Sequence, residues 1–195
     1  MLWLLLIIPI VGSFLLVQGK ARSLKRMEGE TEQKILIRLQ GVASRLSGKV
    51  VAGPALETPA GKLMIYASKA PKVTTIDVTK FSAAVPGSAS LTVVRVEDEK
   101  KVPVKGLQPM APPGFAGSEQ YRVFGSDLGL AARVFTPAFV EKLRALEAAA
   151  RGRVRLQLNR GQATLTLSRG LEQPAELADF HQNSAAVIEE MKAAG

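Results

Sequence analysis

The sequence predicts an α+β domain, a mostly antiparallel sheet with helices packed on one face, preceded by a single N-terminal transmembrane helix. Three observations predict it. Between Thr136 and Ser168 the apolar period changes from three-and-four to two, the mark of a helix running into a hairpin. Short apolar runs alternate with Gly- and Pro-rich breaks from Lys49 onward, which reads as about eight strands over the whole domain. From Leu2 to Val17 the chain is apolar apart from Ser13.

At about 1.5 Å per residue, that first stretch and its uncharged flank approach the roughly 30 Å of a bilayer core. Trp3 suits an interface, and Pro9 and Gly12 are tolerated in spanning helices. Lys20, Arg22, Lys25 and Arg26 follow, and no charged side chain precedes. This bias directs the N-terminus outward and the rest into the cytoplasm, at the inner membrane, with the basic cluster against the anionic leaflet. The competing reading is a cleaved signal peptide that releases the domain to the periplasm. It is disfavoured by the absent basic n-region and by Val17-Gln18-Gly19, a poor cleavage site. Residues 1–19 therefore read as the anchor, 20–47 as a basic juxtamembrane stretch with an amphipathic helix, and 48–195 as the globular domain.

In the helix predicted over 27–47, Ile35, Leu36, Leu39, Val42, Ala43 and Leu46 form one stripe, and Gly48 is the stop. The stripe is too short for a convincing coiled coil and is expected to pack on the domain's own sheet. Strands are predicted at Lys49–Ala52, Lys62–Ser68, Val73–Thr79, Leu91–Glu97 and Val102–Lys105. Glu97-Asp98-Glu99-Lys100-Lys101 reads as a solvated hairpin tip, and Leu107–Ser118, rich in proline and glycine, as an irregular loop. Within that loop, Pro109-Met110-Ala111-Pro112 is either a polyproline docking segment or, more simply, a surface crossing.

From Gln120 the pattern is a strand, a turn at 125–129, a second short strand and then the clearest helix, 137–151. Thr136 is its N-cap and Pro137 its first residue. Phe139, Val140, Leu143, Leu146 and Ala150 form the stripe, while Glu141, Lys142, Arg144 and Glu147 are placed on the solvent side. After Gly152, Val154, Leu156 and Leu158 alternate with Arg153, Arg155 and Gln157. Asn159-Arg160-Gly161 suits a tight turn, and Ala163, Leu165 and Leu167 then alternate with Thr164, Thr166 and Ser168. A last helix spans 174–194. The joint after Leu46 aligns without gaps on the joint after Ala150, Gly48-Lys49-Val50 on Gly152-Arg153-Val154. This is either a duplicated helix–hairpin unit or the shared grammar of such joints.

The 195 residues are 47% apolar and 22% charged, values suited to one domain plus an anchor. With no cysteine, disulfides and thiolate metal sites are excluded. His181 is the single histidine, lacks partners at metal-ligand spacing and leaves a hydrolytic triad little to draw on. Gly125-Ser126-Asp127-Leu128-Gly129 has no P-loop lysine. No catalytic residue, metal or cofactor is predicted, and an enzyme is the disfavoured class. The net charge of +9 points to an anionic partner. Arg153 and Arg155 share one side of a strand, with Arg151, Arg160 and Arg169 close in sequence, and these are the candidates for an anion or partner site. A solvated basic face is the plainer account of the same residues. Nucleic-acid readers add exposed aromatics, and at 5% these are scarce, so nucleic acid is a disfavoured partner.

The run Gly114-Phe115-Ala116-Gly117-Ser118-Glu119-Gln120-Tyr121-Arg122-Val123-Phe124-Gly125, followed by Ala131–Leu146, resembles a pattern found in many bacterial proteins of unknown function. In those proteins a Phe-x-Val-x-Gly stretch precedes a Leu-Thr-Pro helix start, a strand pair and a closing helix, often behind one or two N-terminal membrane helices. The match is moderate over Gly114–Leu167 and weak over Leu46–Val96. It departs at Glu119-Gln120, where the family favours Phe-Asp, and at Val134-Phe135, where it has paired leucines. The resemblance implies an anchored α+β domain and brings no catalytic residue. The expected function is a membrane-anchored, non-catalytic interaction or scaffold domain in the cytoplasm. Residues 1–19 would contact the bilayer, and the domain an anionic lipid, an acidic protein or a second copy of itself. The alternatives are an extracytoplasmic binding protein or enzyme released by cleavage, and a nucleic-acid-binding domain.

Overall fold

The computed structural model describes residues 32–51, 53–69, 75–101, 106–115 and 117–194. The expected anchor at 1–19, its flank Lys20, Arg22, Lys25 and Arg26, and the strand expected at 102–105 lie outside the described residues. Among the described residues, no helix is long and apolar enough to cross a membrane.

Helix α1 (32–43) leads into β1 (Lys49–Val51), β2 (Ala55–Thr58), β3 (Gly61–Lys69), β4 (Thr75–Ala84) and β5 (Leu91–Arg95). A 3₁₀ turn (Val96–Lys101), β6 (Gln108–Met110), β7 (Tyr121–Gly125), α2 (Leu128–Val134) and α3 (Pro137–Ala149) come next. The chain closes with β8 (Val154–Asn159), β9 (Gln162–Leu167) and α4 (Pro174–Ala194). The nine strands among the described residues join one antiparallel sheet in the order β1-β2-β3-β4-β9-β8-β5-β7-β6.

Period-two patterning sorts this sheet into two faces. The register sets Leu56 against Leu63, then Phe81, Leu165, Leu156, Val93 and Val123 in one apolar row from β2 to β7. Every member of the row is 2% exposed or less. The row packs in a single core with Ile35, Leu39, Val42 and Leu46 from α1, Leu143 and Leu146 from α3, and Leu177, Phe180 and Val187 from α4. Helices thus lie on one face, as the pattern predicts, and the α1 stripe is buried in the domain's own core.

Local signals act where they stand in the sequence. Thr136 Oγ1 accepts the Phe139 N–H (3.2 Å) ahead of Pro137. Arg160 (φ 48°) and Gly161 (φ 76°) close the β8–β9 hairpin with both central residues left-handed, a type I′ turn that suits the strand twist. The two helix-to-strand joints share one cap geometry. Ser47 and Arg151 are left-handed, at φ 50° and 46°, and the following glycine N–H reaches back to Ala43 (2.8 Å) and to Glu147 (3.1 Å). The strands beyond then differ: β1 has 3 residues at the sheet edge, whereas β8 has 6 in its middle.

Several expectations need correction. The second short strand after Gly125 is helix α2, capped by Asp127, whose carboxylate accepts the Leu130 N–H (3.0 Å). The expected loop at Leu107–Ser118 contains the edge strand β6, where Pro109 sits without needing a ladder donor. Strand β2 lies between Pro54 and Pro59, too short for its pattern to register, and β4 runs on to Ala84 because Phe81 and Ala83 continue its buried face. The charge run at 97–101 forms the 3₁₀ turn rather than a hairpin tip.

Gly61 and Gly41 provide opposite tests of packing. A Cβ at Gly61 would lie 2.6 Å from the Ser82 carbonyl and 2.7 Å from the Phe81 ring. Gly61→Ala should therefore cost about 1–3 kcal/mol, read as a lower urea midpoint. At Gly41, within α1, a Cβ would meet only Pro174 at 3.4 Å. Gly41→Ala should raise the midpoint, by up to about 1 kcal/mol of helix propensity.

Candidate functional site

The β8–β9 hairpin carries its polar residues to the face opposite the helices. Arg155 stands across from Thr166, and Arg153, two residues earlier, projects the same way. Beyond Leu167 the chain is clamped to β4 by Thr79. The Thr79 N–H and hydroxyl both donate to the Arg169 carbonyl (3.1 and 3.0 Å), and the hydroxyl accepts from the Leu171 N–H (3.2 Å). Between them only glycine fits, since a Cβ at Gly170 would lie 2.4 Å from that of Asp77. The clamp brings Arg169 to the same recess as Arg153 and Arg155.

The other wall is the acidic 3₁₀ turn. It lies over the helix-free face, with Asp98 paired to Arg153 (3.2 Å) and Glu99 to Arg122 (3.6 Å). Between this turn and the 168–169 segment is a recess of about 490 Å³, whose cationic lining is Arg95, Arg153, Arg155 and Arg169. Arg95 is paired with Glu147, Arg153 with Asp98 and Arg169 with Glu176 (3.1 Å). Arg155 has no carboxylate partner among the described residues, and its Nε is buried with no hydrogen-bond partner.

Of the predicted candidates, the structure brings Arg153, Arg155 and Arg169 together and leaves two apart. Arg151 is exposed at the end of α3. Arg160 is exposed in the hairpin turn at the far end of β8, about 17 Å along the strand from Arg155. Arg95 is a lining residue that the sequence reading missed. Period two places it with Leu91 and Val93 on the helix-bearing face, so alternation gives no signal for it, and it reaches the recess only from the end of β5.

Glu147 is the largest correction. It was placed on the solvent side of its helix, yet it is 6% exposed. Its Oε2 accepts from the Tyr121 hydroxyl (2.8 Å), from Arg95 Nε (2.8 Å) and from Arg95 Nη2, and its Oε1 accepts the Val154 N–H (3.0 Å). The Arg95 guanidinium also lies over the Tyr121 ring, 4.7 Å from its centre. The hydrogen bond to Glu147 raises the Arg95 pKa further and keeps it charged, while burial, then the Glu147 hydrogen bond, pushes the Tyr121 hydroxyl well above the usual phenol range.

The chain enters the domain at this same end of the sheet. Arg38 of α1 reaches Asp77 (3.4 Å), which abuts Gly170, and Gly41 faces Pro174. Ten residues after Arg38, Gly48 abuts Leu56 and Glu57 of β2. Midway along its length, helix α1 therefore passes the segment that carries Arg169.

His181 sits elsewhere, 5% exposed in α4 and edge-on to Phe81 at 4.9 Å. Thr58 Oγ1 donates to the Gly61 carbonyl (2.9 Å) and lies 2.8 Å from His181 Nε2, so the ring's Nε2–H donates to the hydroxyl. Nδ1 is then a bare, buried acceptor with no partner, and burial lowers the ring's pKa. Among the described residues, no cluster of His, Asp and Glu could hold a metal ion.

The chain matches no protein-family model and no curated protein sequence. Among solved structures it is similar to the mycobacterial trehalose monomycolate transport factor A, TtfA. The identity is 10%, over 79% of this chain and 96% of that one, with a TM-score of 0.45. A likeness at this level carries nothing about function.

Two stability measurements follow from these sites. Glu147→Ala strands a guanidinium, a phenol and a backbone N–H, and should cost about 3–5 kcal/mol, against about 1.5–3 kcal/mol for Tyr121→Phe. Urea unfolding of both variants reads the difference. For His181 the folded pKa is depressed, so its contribution is full above the unfolded value of 6.5 and is lost as pH falls below it. The urea midpoint should drop between about pH 7.5 and about pH 5, and His181→Gln should shrink that drop.

Proposed function

We propose that this protein is a membrane-anchored, non-catalytic interaction domain, with residues 1–19 as the anchor and the α+β domain in the cytoplasm. The observation that carries the reading is the apolar run Leu2–Val17, followed at once by the basic cluster Lys20, Arg22, Lys25 and Arg26. The position of α1 agrees with it, because this helix passes the end of the sheet that bears the arginine recess. The lining of that recess suits recognition of an anionic group rather than turnover. Its arginines can hold an oxyanion through paired N–H donors.

Reporter fusions after Gly195 test the orientation. A reporter active only in the cytoplasm should be active and membrane-bound after carbonate washing, and one active only in the periplasm should be silent. Activity of the periplasmic reporter, or recovery of a native chain shortened by about 19 residues, would instead support release by signal cleavage.

A further inference from the structure

Resting on the anchored-domain reading, we infer that the recess binds a phosphate oxyanion of single negative charge, with Arg155 as its principal donor. The charge pattern sets the valence. Arg95, Arg153 and Arg169 are matched by Glu147, Asp98 and Glu176, which leaves Arg155 as the cation still to be neutralised. Its Nε–H is the unsatisfied donor, and a guanidinium offers Nε–H and Nη–H in one plane to two oxygens of a phosphate. A polyphosphate would find the neighbouring cations already paired.

The lining narrows the chemistry further. Ser168 adds an exposed hydroxyl, while Val94, Val154 and Leu167 are 2% exposed or less and only close the floor, a combination suited to the polar head of a phosphodiester rather than to an apolar ligand. Among the described residues no aromatic ring lines the recess, so base stacking has no platform there. Two sources share this chemistry, the headgroup of an anionic phospholipid and a free phosphate ion. The short stretch between the anchor and α1 favours the headgroup. At most about 50 Å of extended chain separates Val17 from Glu32, so an anchored domain keeps the recess within reach of the bilayer surface.

The test uses the full-length protein in neutral detergent micelles. The Arg155 Nε–H resonance, assigned by its loss in Arg155→Lys, is followed while short-chain phosphatidylglycerol or inorganic phosphate is added. Phosphatidylglycerol should shift this resonance saturably. By calorimetry Arg155→Gln should weaken its binding by about tenfold or more, while Arg160→Gln changes it by less than about twofold. Saturable binding of both ligands through Arg155 supports a general phosphate oxyanion site, and binding of phosphatidylglycerol alone supports the headgroup. Binding of inorganic phosphate alone supports the oxyanion site and overturns the lipid source. No shift of the Arg155 resonance by either ligand, or undiminished affinity in a folded Arg155→Gln protein, overturns the proposal. Should Arg155→Gln melt early, Arg155→Lys serves instead, because it keeps the charge, removes Nε–H and must still weaken binding. Failure of the anchor reading would appear separately, as extraction of the wild-type protein from membranes by carbonate, with the Arg155 titration unchanged.

Discussion

Glu147 holds three strands to one helix. Its two oxygens accept from Arg95 at the end of β5, Tyr121 at the start of β7 and the first N–H of β8, all from within α3. A carboxylate taken out of water is costly unless its lone pairs are filled, and here a guanidinium, a phenol and a backbone N–H fill them. The bond to Val154 also fixes where β8 begins. A slip of one residue there would turn Leu156 and Leu158 outward and Arg155 into the core. The polar composition of the helix-free face is therefore set from the opposite side of the sheet.

Much of this was legible from short-range pattern. Helices α3 and α4 and the β8–β9 hairpin follow from caps, periods and a turn that need no tertiary knowledge. Other features depend on partners distant in sequence. Strand β2 shows no alternation long enough to detect and owes its place to pairing between β1 and β3. The stretch after Gly129 reads as strand because its apolar character is strong and helix α2 is only 7 residues long. Glu147 falls four residues after Leu143 and three before Ala150, so spacing alone would have put it on the buried stripe; its charge argued otherwise, and Arg95 lies 52 residues away. For the candidate site, the alternation exposed Arg153 and Arg155, but Arg169 joined them only through Thr79, and Arg95 only through the fold.

The helix-free face is not left open to solvent throughout. Val94 is 1% exposed and Phe124 6%, although both point away from the helices. The acidic turn reaches across this region, tied to β8 through Arg153 and to β7 through Arg122. One short segment thus bridges two strands on this face and also shapes a wall of the recess. The ion pairs that hold it are partly exposed, so their strength should depend on ionic strength more than that of the Glu147 network.

The strand order has a consequence for how the chain is made. β9 lies between β4 and β8, so the β1–β4 meander keeps β4 as an open edge until residues 162–167 have been synthesised. On a ribosome the first half of the domain waits while residues 85–161 are made, with Phe81 and Val78 on an unpaired strand, the situation in which nascent chains pair with the wrong neighbour. The hairpin that supplies β9 needs only a two-residue turn and forms quickly once it emerges. Completion of the sheet is therefore a late insertion of a fast-forming piece, and the long-range β4–β9 zipper should set the pace of folding.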